Sequence, residues 1–70
     1  MRQTYRIRPE VIDRARERLG CTSDEKLAVR LGMTAATIGR VRRGESPSLG
    51  TTIALLNAAA VDLPVGVEAA

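Results

Sequence analysis

Asp24–Gly44, DEKLAVRLGMTAATIGRVRRG, is the stretch that decides the fold. Leu27, Ala28 and Leu31 recur at helical spacing, Gly32 interrupts, and the spacing resumes with Ile38 and Val41 in a segment opened by Thr34. Gly32 stands where the first helix must stop in a left-handed conformation, which side chains with a Cβ resist. Thr34 can cap the next helix by accepting a bond from the free N–H of Ala36 or Thr37. Ala28 faces the second helix across the turn, and its small side chain lets the two backbones approach closely. The stretch predicts two short helices joined by one tight turn, the second spanning residues 34–43.

Two helices so joined form a helix-turn-helix, whose second helix enters the major groove of DNA. The charge distribution agrees. The net charge is +3, but all eleven Lys and Arg lie between Arg2 and Arg43 against five acids, a local excess of +6, while Glu45, Asp62 and Glu68 follow. Residues 34–43 hold Arg40, Arg42 and Arg43 and no acid, which suits a helix lying among phosphates. At 100° per residue Ile38 and Val41 point to the core, leaving Ala35, Ala36, Gly39, Arg40 and Arg43 facing outward.

The run LAVRLGMTAATIGRVRRG resembles the Cro and phage-repressor helix-turn-helix family, with its Leu-Ala, two residues, Leu-Gly, five residues, then Ile, and a later Gly closing the helix. The likeness extends through Ser46-Pro47-Ser48-Leu49 and covers roughly Val11 to Leu63. It implies that Thr34, Ala35, Ala36 and Arg40 approach base edges, and that the positions of Arg43 and Asp24 approach phosphate. Family members often carry glutamine at Ala35 and Ala36, where alanine offers only a methyl contact to thymine, so direct readout rests on Arg40 against guanine, helped by Thr34 and Thr37. Glutamine is also usual at Asp24, whose carboxylate would repel phosphate. Arg42 stands where the family often has an acid paired with an arginine of the first helix. Either the polarity is reversed, with Glu17 or Asp13 as partner, or Arg42 joins the phosphate-facing charge.

The remaining segments fit an all-α bundle of about four helices of the lambda-repressor type, in a single domain over residues 1–70. Residues 1–8 form a strand or arm, 9–61 the helical core and 62–70 a tail. Pro9 opens a first helix with Val11, Ile12, Ala15 and Leu19 on its buried stripe, ending at Gly20. Thr22 or Ser23 caps the next helix, and Thr22 with Glu25 has the spacing of a capping box. Ser48 caps a fourth helix from Leu49 to about Ala60, with Leu49, Ile53, Leu56 and Ala60 expected to close the core. At the start of that helix, Ser48 and Thr51 either bind a phosphate or serve only as caps. Arg14, Arg16, Arg18 and Arg30 read mainly as solvated surface.

Tyr5 and Ile7 alternate with Arg6 and Arg8, as in a strand. The strand could pair with Leu63 to Val67 of the same chain, where Val65 and Val67 alternate, or with the same segment of a second chain. It could also be a flexible basic arm on the minor groove. The alternation favours pairing in a dimer, with Tyr5, Ile7, Val65 and Val67 at the interface, because Pro64 and Gly66 leave no room for the fifth helix that joins subunits in many family members. A homodimer is also the natural expectation for so small a core.

These readings predict a small Cro-like phage repressor, a sequence-specific regulator that occupies a near-palindromic operator in double-stranded DNA as a dimer. The alternative is an antitoxin-like protein-interaction module. An enzyme is not expected, since there is no histidine, no cysteine pair and no Gly-rich phosphate loop. Neither a cofactor, a metal, a small-molecule ligand nor a membrane is anticipated. One cysteine and no signal peptide or long apolar run place the chain in the bacterial cytoplasm or nucleoid.

Overall fold

A computed structural model describes residues 4–69. Its elements run β1 (Tyr5–Ile7), α1 (Pro9–Leu19), α2 (Asp24–Leu31), α3 (Ala35–Arg42), α4 (Leu49–Ala59), the single turn α5 (Leu63–Gly66) and β2 (Val67–Ala69). Helix boundaries follow local chemistry. Pro9 occupies the first turn of α1, and Gly20 and Gly32 end α1 and α2 with φ of 68° and 73°. Ser23, Thr34 and Ser48 cap α2, α3 and α4 by accepting from the N–H of Lys26, Thr37 and Thr51. The α2 cap is therefore Ser23, and Thr22 instead accepts a bond from Lys26 Nζ.

One core gathers Ile7, Val11, Ile12 and Ala15 with Leu27, Ala28, Ile38 and Val41, closed by Leu55, Leu56 and Ala59. The expected stripe of α1 is buried, with Leu19 partly so. Of the expected face of α4 only Leu56 is buried. Leu49 and Ile53 are 68% and 52% exposed, and Ala60 lies beyond the helix in a left-handed cap at φ 55°. The buried positions are Thr52, Leu55, Leu56 and Ala59. Thr52 can face inward because its hydroxyl donates to Ser48 O and bonds the Tyr5 hydroxyl, so its polar atom is satisfied.

The strand also differs from expectation. β1 pairs antiparallel with β2 of the same chain, Tyr5 opposite Ala69, Arg6 opposite Glu68 and Ile7 opposite Val67. Arg6 and Arg8 both reach Glu68. Ile7 is wholly buried in its own core and so is not an intersubunit contact, while Val65 sits in the α5 turn rather than on a strand. The chain closes here because Gly66, buried against Leu56, donates no side chain: a Cβ there would run into Leu56 Cδ2. Gly66 O also accepts from Arg8 N–H at 2.9 Å, tying the tail to the strand end. Residues 1–3 of the expected strand or arm lie outside the described residues. Among the described residues no helix is long and apolar enough to cross a membrane.

Candidate nucleic-acid interface

Helix α3 is held from behind and open in front. Ile38 and Val41 are 0% and 2% exposed, anchoring one side in the core, whereas Thr34, Ala35, Ala36, Arg40 and Arg43 are exposed on the other. Gly39 and Thr37 are half-buried at the margins. The absence of a side chain at Gly39 leaves room for Arg43 Nη1, which would stand 3.5 Å from a Cβ placed there. Thr34 caps the helix and bonds the Thr37 hydroxyl at 3.0 Å, and Arg40 Nη2 donates to Thr37 Oγ1 at 3.4 Å. The three polar residues expected to face base edges therefore form one connected row. No salt bridge to Arg40 occurs among the described residues, so its guanidinium retains donors for another acceptor.

Between α3 and the start of α4 lies a cleft of about 200 Å³ lined by Thr37, Arg40, Glu45, Ser46, Ser48 and Thr51. Ser48 Oγ donates to Thr51 Oγ1 at 3.1 Å while accepting from Thr51 N–H. The free N–H groups of a helix start thus adjoin two hydroxyls and an arginine, a donor-rich setting for an anion. Glu45 opposes this locally by accepting from Arg43 Nε at 3.3 Å. Both of those side chains are well exposed, so the pair is weak.

Arg42 differs from Arg40 and Arg43. Its Nε and Nη2 form a two-pronged grip on Asp24, at 2.6 and 3.0 Å, and Nη2 also reaches Asp13 at 2.8 Å. Arg16 adds a further contact to Asp24 at 3.3 Å. The reversed polarity anticipated for Arg42 is found, with Asp13 as one partner, but the shorter grip is on Asp24, which sequence spacing did not suggest. Arg42, expected among the DNA contacts, thus serves as a clamp joining α1, α2 and α3, with three N–H bonds from Nε and Nη2 engaged within the protein. The hydrogen bond from Arg42 is the main cause that holds the Asp24 carboxyl below the ordinary carboxylate range, with the nearby charges of Arg42 and Arg16 assisting against partial burial. The same bond raises the Arg42 guanidinium above its ordinary value, and Asp13 contributes.

The arginines read as surface also have partners. Arg14 and Arg18, one turn apart on α1, donate to Ala59 O and Ala58 O at the end of α4. Arg16 reaches Cys21 O and Thr22 O, and Arg30 reaches Leu19 O. Helix C-termini leave carbonyls without intrahelical donors and carry partial negative charge, so guanidinium groups satisfy both needs. The spacing of Arg14 and Arg18 was the signal available, but its target became visible only once α4 was seen to lie across α1.

A sequence model of the family described as helix-turn-helix matches residues 12–65. Comparison with curated proteins and with solved structures found no match.

Proposed function

We propose that this chain, which belongs to the helix-turn-helix family of Cro and phage-repressor type, is a Cro-like repressor that occupies a near-palindromic operator as a homodimer. The family is one of DNA-binding regulators, and double-stranded DNA is the partner it implies. The observation that carries the finer reading is the division of α3: Ile38 and Val41 are buried while Arg40 and Arg43 project from the opposite side with Thr34, Ala35, Ala36 and Gly39. In this reading Arg40 reads a guanine edge, Thr34 and Thr37 assist, and Ala35 and Ala36 meet thymine methyl groups. Arg43, with Ser48 and Thr51 across the cleft, holds the phosphate backbone and sets the register. Two such helices about 34 Å apart would match half-sites one DNA turn apart.

Selection of bound sequences from random duplexes tests this directly. Arg40→Ala should relax preference at one base step per half-site. Arg43→Ala should weaken all sites nearly alike and lower the salt slope by about one. If a dimer neutralises about six to ten phosphates, affinity should fall by roughly 10³ to 10⁵ between 50 and 200 mM salt. Identical behaviour of the two variants, or binding indifferent to salt, would overturn the assignment.

A further inference from the structure

We propose that Arg6, on the terminal sheet, grips the phosphate backbone of the bound duplex beyond the end of α3. This rests on the DNA reading above and adds to it a contact from outside the helix-turn-helix. Arg6 also lies outside the stretch 12–65 that the family model matches, so the contact is not one the match supplies. β1 is fastened to the loop between α3 and α4. Ser46, which lines the cleft, donates to Tyr5 O at 2.8 Å, and the Tyr5 hydroxyl bonds Thr52 Oγ1 at 3.0 Å. Side chains alternate along a strand, so with Ile7 buried Arg6 turns to the other face. There it lies over Gly44, the residue after Arg43: a Cβ at Gly44 would stand 3.3 Å from Arg6 Nη1 and 3.5 Å from its Cδ. The basic edge formed by Arg40 and Arg43 thus continues across the loop to Arg6.

Hydrogen bonding leaves one prong of Arg6 open. Nε donates to Glu68 Oε1 at 2.8 Å and Nη2 approaches the same oxygen at 2.7 Å, whereas Nη1, the nitrogen over Gly44, has no hydrogen bond among the described residues. A guanidinium has five N–H donors, so Nη1 keeps its pair for an incoming oxygen. Glu68 does not cancel the charge, because Arg8 reaches it too at 3.5 Å and two guanidinium groups face one carboxylate. With the Arg6 side chain 46% exposed, such a pair adds little to stability. What it does is restrict a flexible side chain, so that less freedom is lost when an anion binds. A duplex is the polyanion that meets these groups together: phosphates repeat along one strand, and a strand that follows Arg40 and Arg43 past the end of α3 arrives at Arg6.

Arg6→Gln and Glu68→Gln break the same ion pair, and only the first removes the phosphate contact. The test compares both with wild type and Arg6→Lys, as full chains, on the selected duplex and on a random one over a salt series, with circular dichroism melts alongside. Arg6→Gln should weaken both duplexes alike and lower the salt slope by about one per bound chain, so that its deficit shrinks about three- to fourfold between roughly 50 and 200 mM salt. Arg6→Lys should keep the slope, since an ammonium still neutralises a phosphate, and Glu68→Gln should keep it with Arg6 in place. On the selected duplex, ethylation of a phosphate flanking the α3 contacts should interfere with wild-type binding, and that position alone should cease to matter in Arg6→Gln. An Arg6→Gln variant with the slope and interference pattern of wild type, or a Glu68→Gln variant that loses the slope as Arg6→Gln does, would overturn the inference and leave the operator reading intact. Binding without base preference, but with a slope that Arg6→Gln lowers, would sink the operator reading and leave the Arg6 contact standing. No DNA bound by the wild type would end both.

Discussion

Helices α3 and α4 are built alike at their starts and differ in what they turn outward. Each begins at a hydroxyl cap, Thr34 or Ser48, and each buries part of its circumference in the same core. The outer side of α3 is arginine, threonine and small residues; that of α4 is leucine, isoleucine, glycine and asparagine, with no charge. The contrast gives one scaffold two faces of different physical character. A polar, cationic face stays solvated until a polyanion replaces the water, while an apolar face is stabilised by leaving water whatever the salt concentration.

The contrast can be broken most severely at its isoleucines. Ile38→Ala should destabilise the chain by about 2 to 5 kcal/mol in urea unfolding, because Ile38 is fully enclosed and its loss leaves a cavity. DNA binding should then fail with the fold, and a variant losing less than about 1 kcal/mol would contradict the anchoring of α3. The clamp beside α3 comes next. Asp24→Asn should remove about 1 to 2 kcal/mol at neutral pH, since Asp13 still holds Arg42. The sign with pH is fixed by the lowered folded-state value: the carboxylate stabilises the fold above its ordinary range and ceases to do so as pH falls through the native value. The wild-type advantage should thus be full at neutral pH and shrink below about pH 4, as acid titration of both proteins would show.

A smaller effect is expected where the two helices meet. Glu45→Gln should strengthen binding to all duplexes by about two- to fivefold at low salt, because Arg43 no longer shares its charge with a neighbour. Filter binding at two salt concentrations reads this. Ile53→Ala should change the unfolding free energy of the monomer by less than about 0.5 kcal/mol, the ordinary outcome at an exposed site. Equal losses from Ile38→Ala and Ile53→Ala would erase the difference between the helices.

The same contrast explains what could be read from residues alone. In α1 and α3 apolar side chains recur against charged ones, so the phase of the pattern names the buried side, and Val11, Ile12, Ala15, Ile38 and Val41 are where periodicity put them. In α4 the pattern LGTTIALLNAA has no charged side to orient it. Leu49 and Ile53 were as plausible inside as Leu55, and the deciding fact, that Thr52 finds two hydroxyl and carbonyl partners, depends on Tyr5 arriving from the far end of the chain. The turn glycines and hydroxyl caps act within a few residues and were legible. The Arg42–Asp24 grip joins positions eighteen apart whose meeting requires the angle between α2 and α3, which no local pattern specifies.

The hairpin-like clasp of β1 and β2 bears on synthesis. Arg6 is fastened to a residue 62 positions later, and Tyr5 and Ile7 depend on partners among the last residues described. Closing so long a loop is entropically unfavourable until the intervening helices are compact. A nascent chain still on the ribosome has α1 to α4 before it has Val67–Ala69, so its first strand waits unpaired beside the half-built core. The clasp therefore closes only after Val67–Ala69 have been made, and a polypeptide that stops short of them leaves the edge of β1 without its partner.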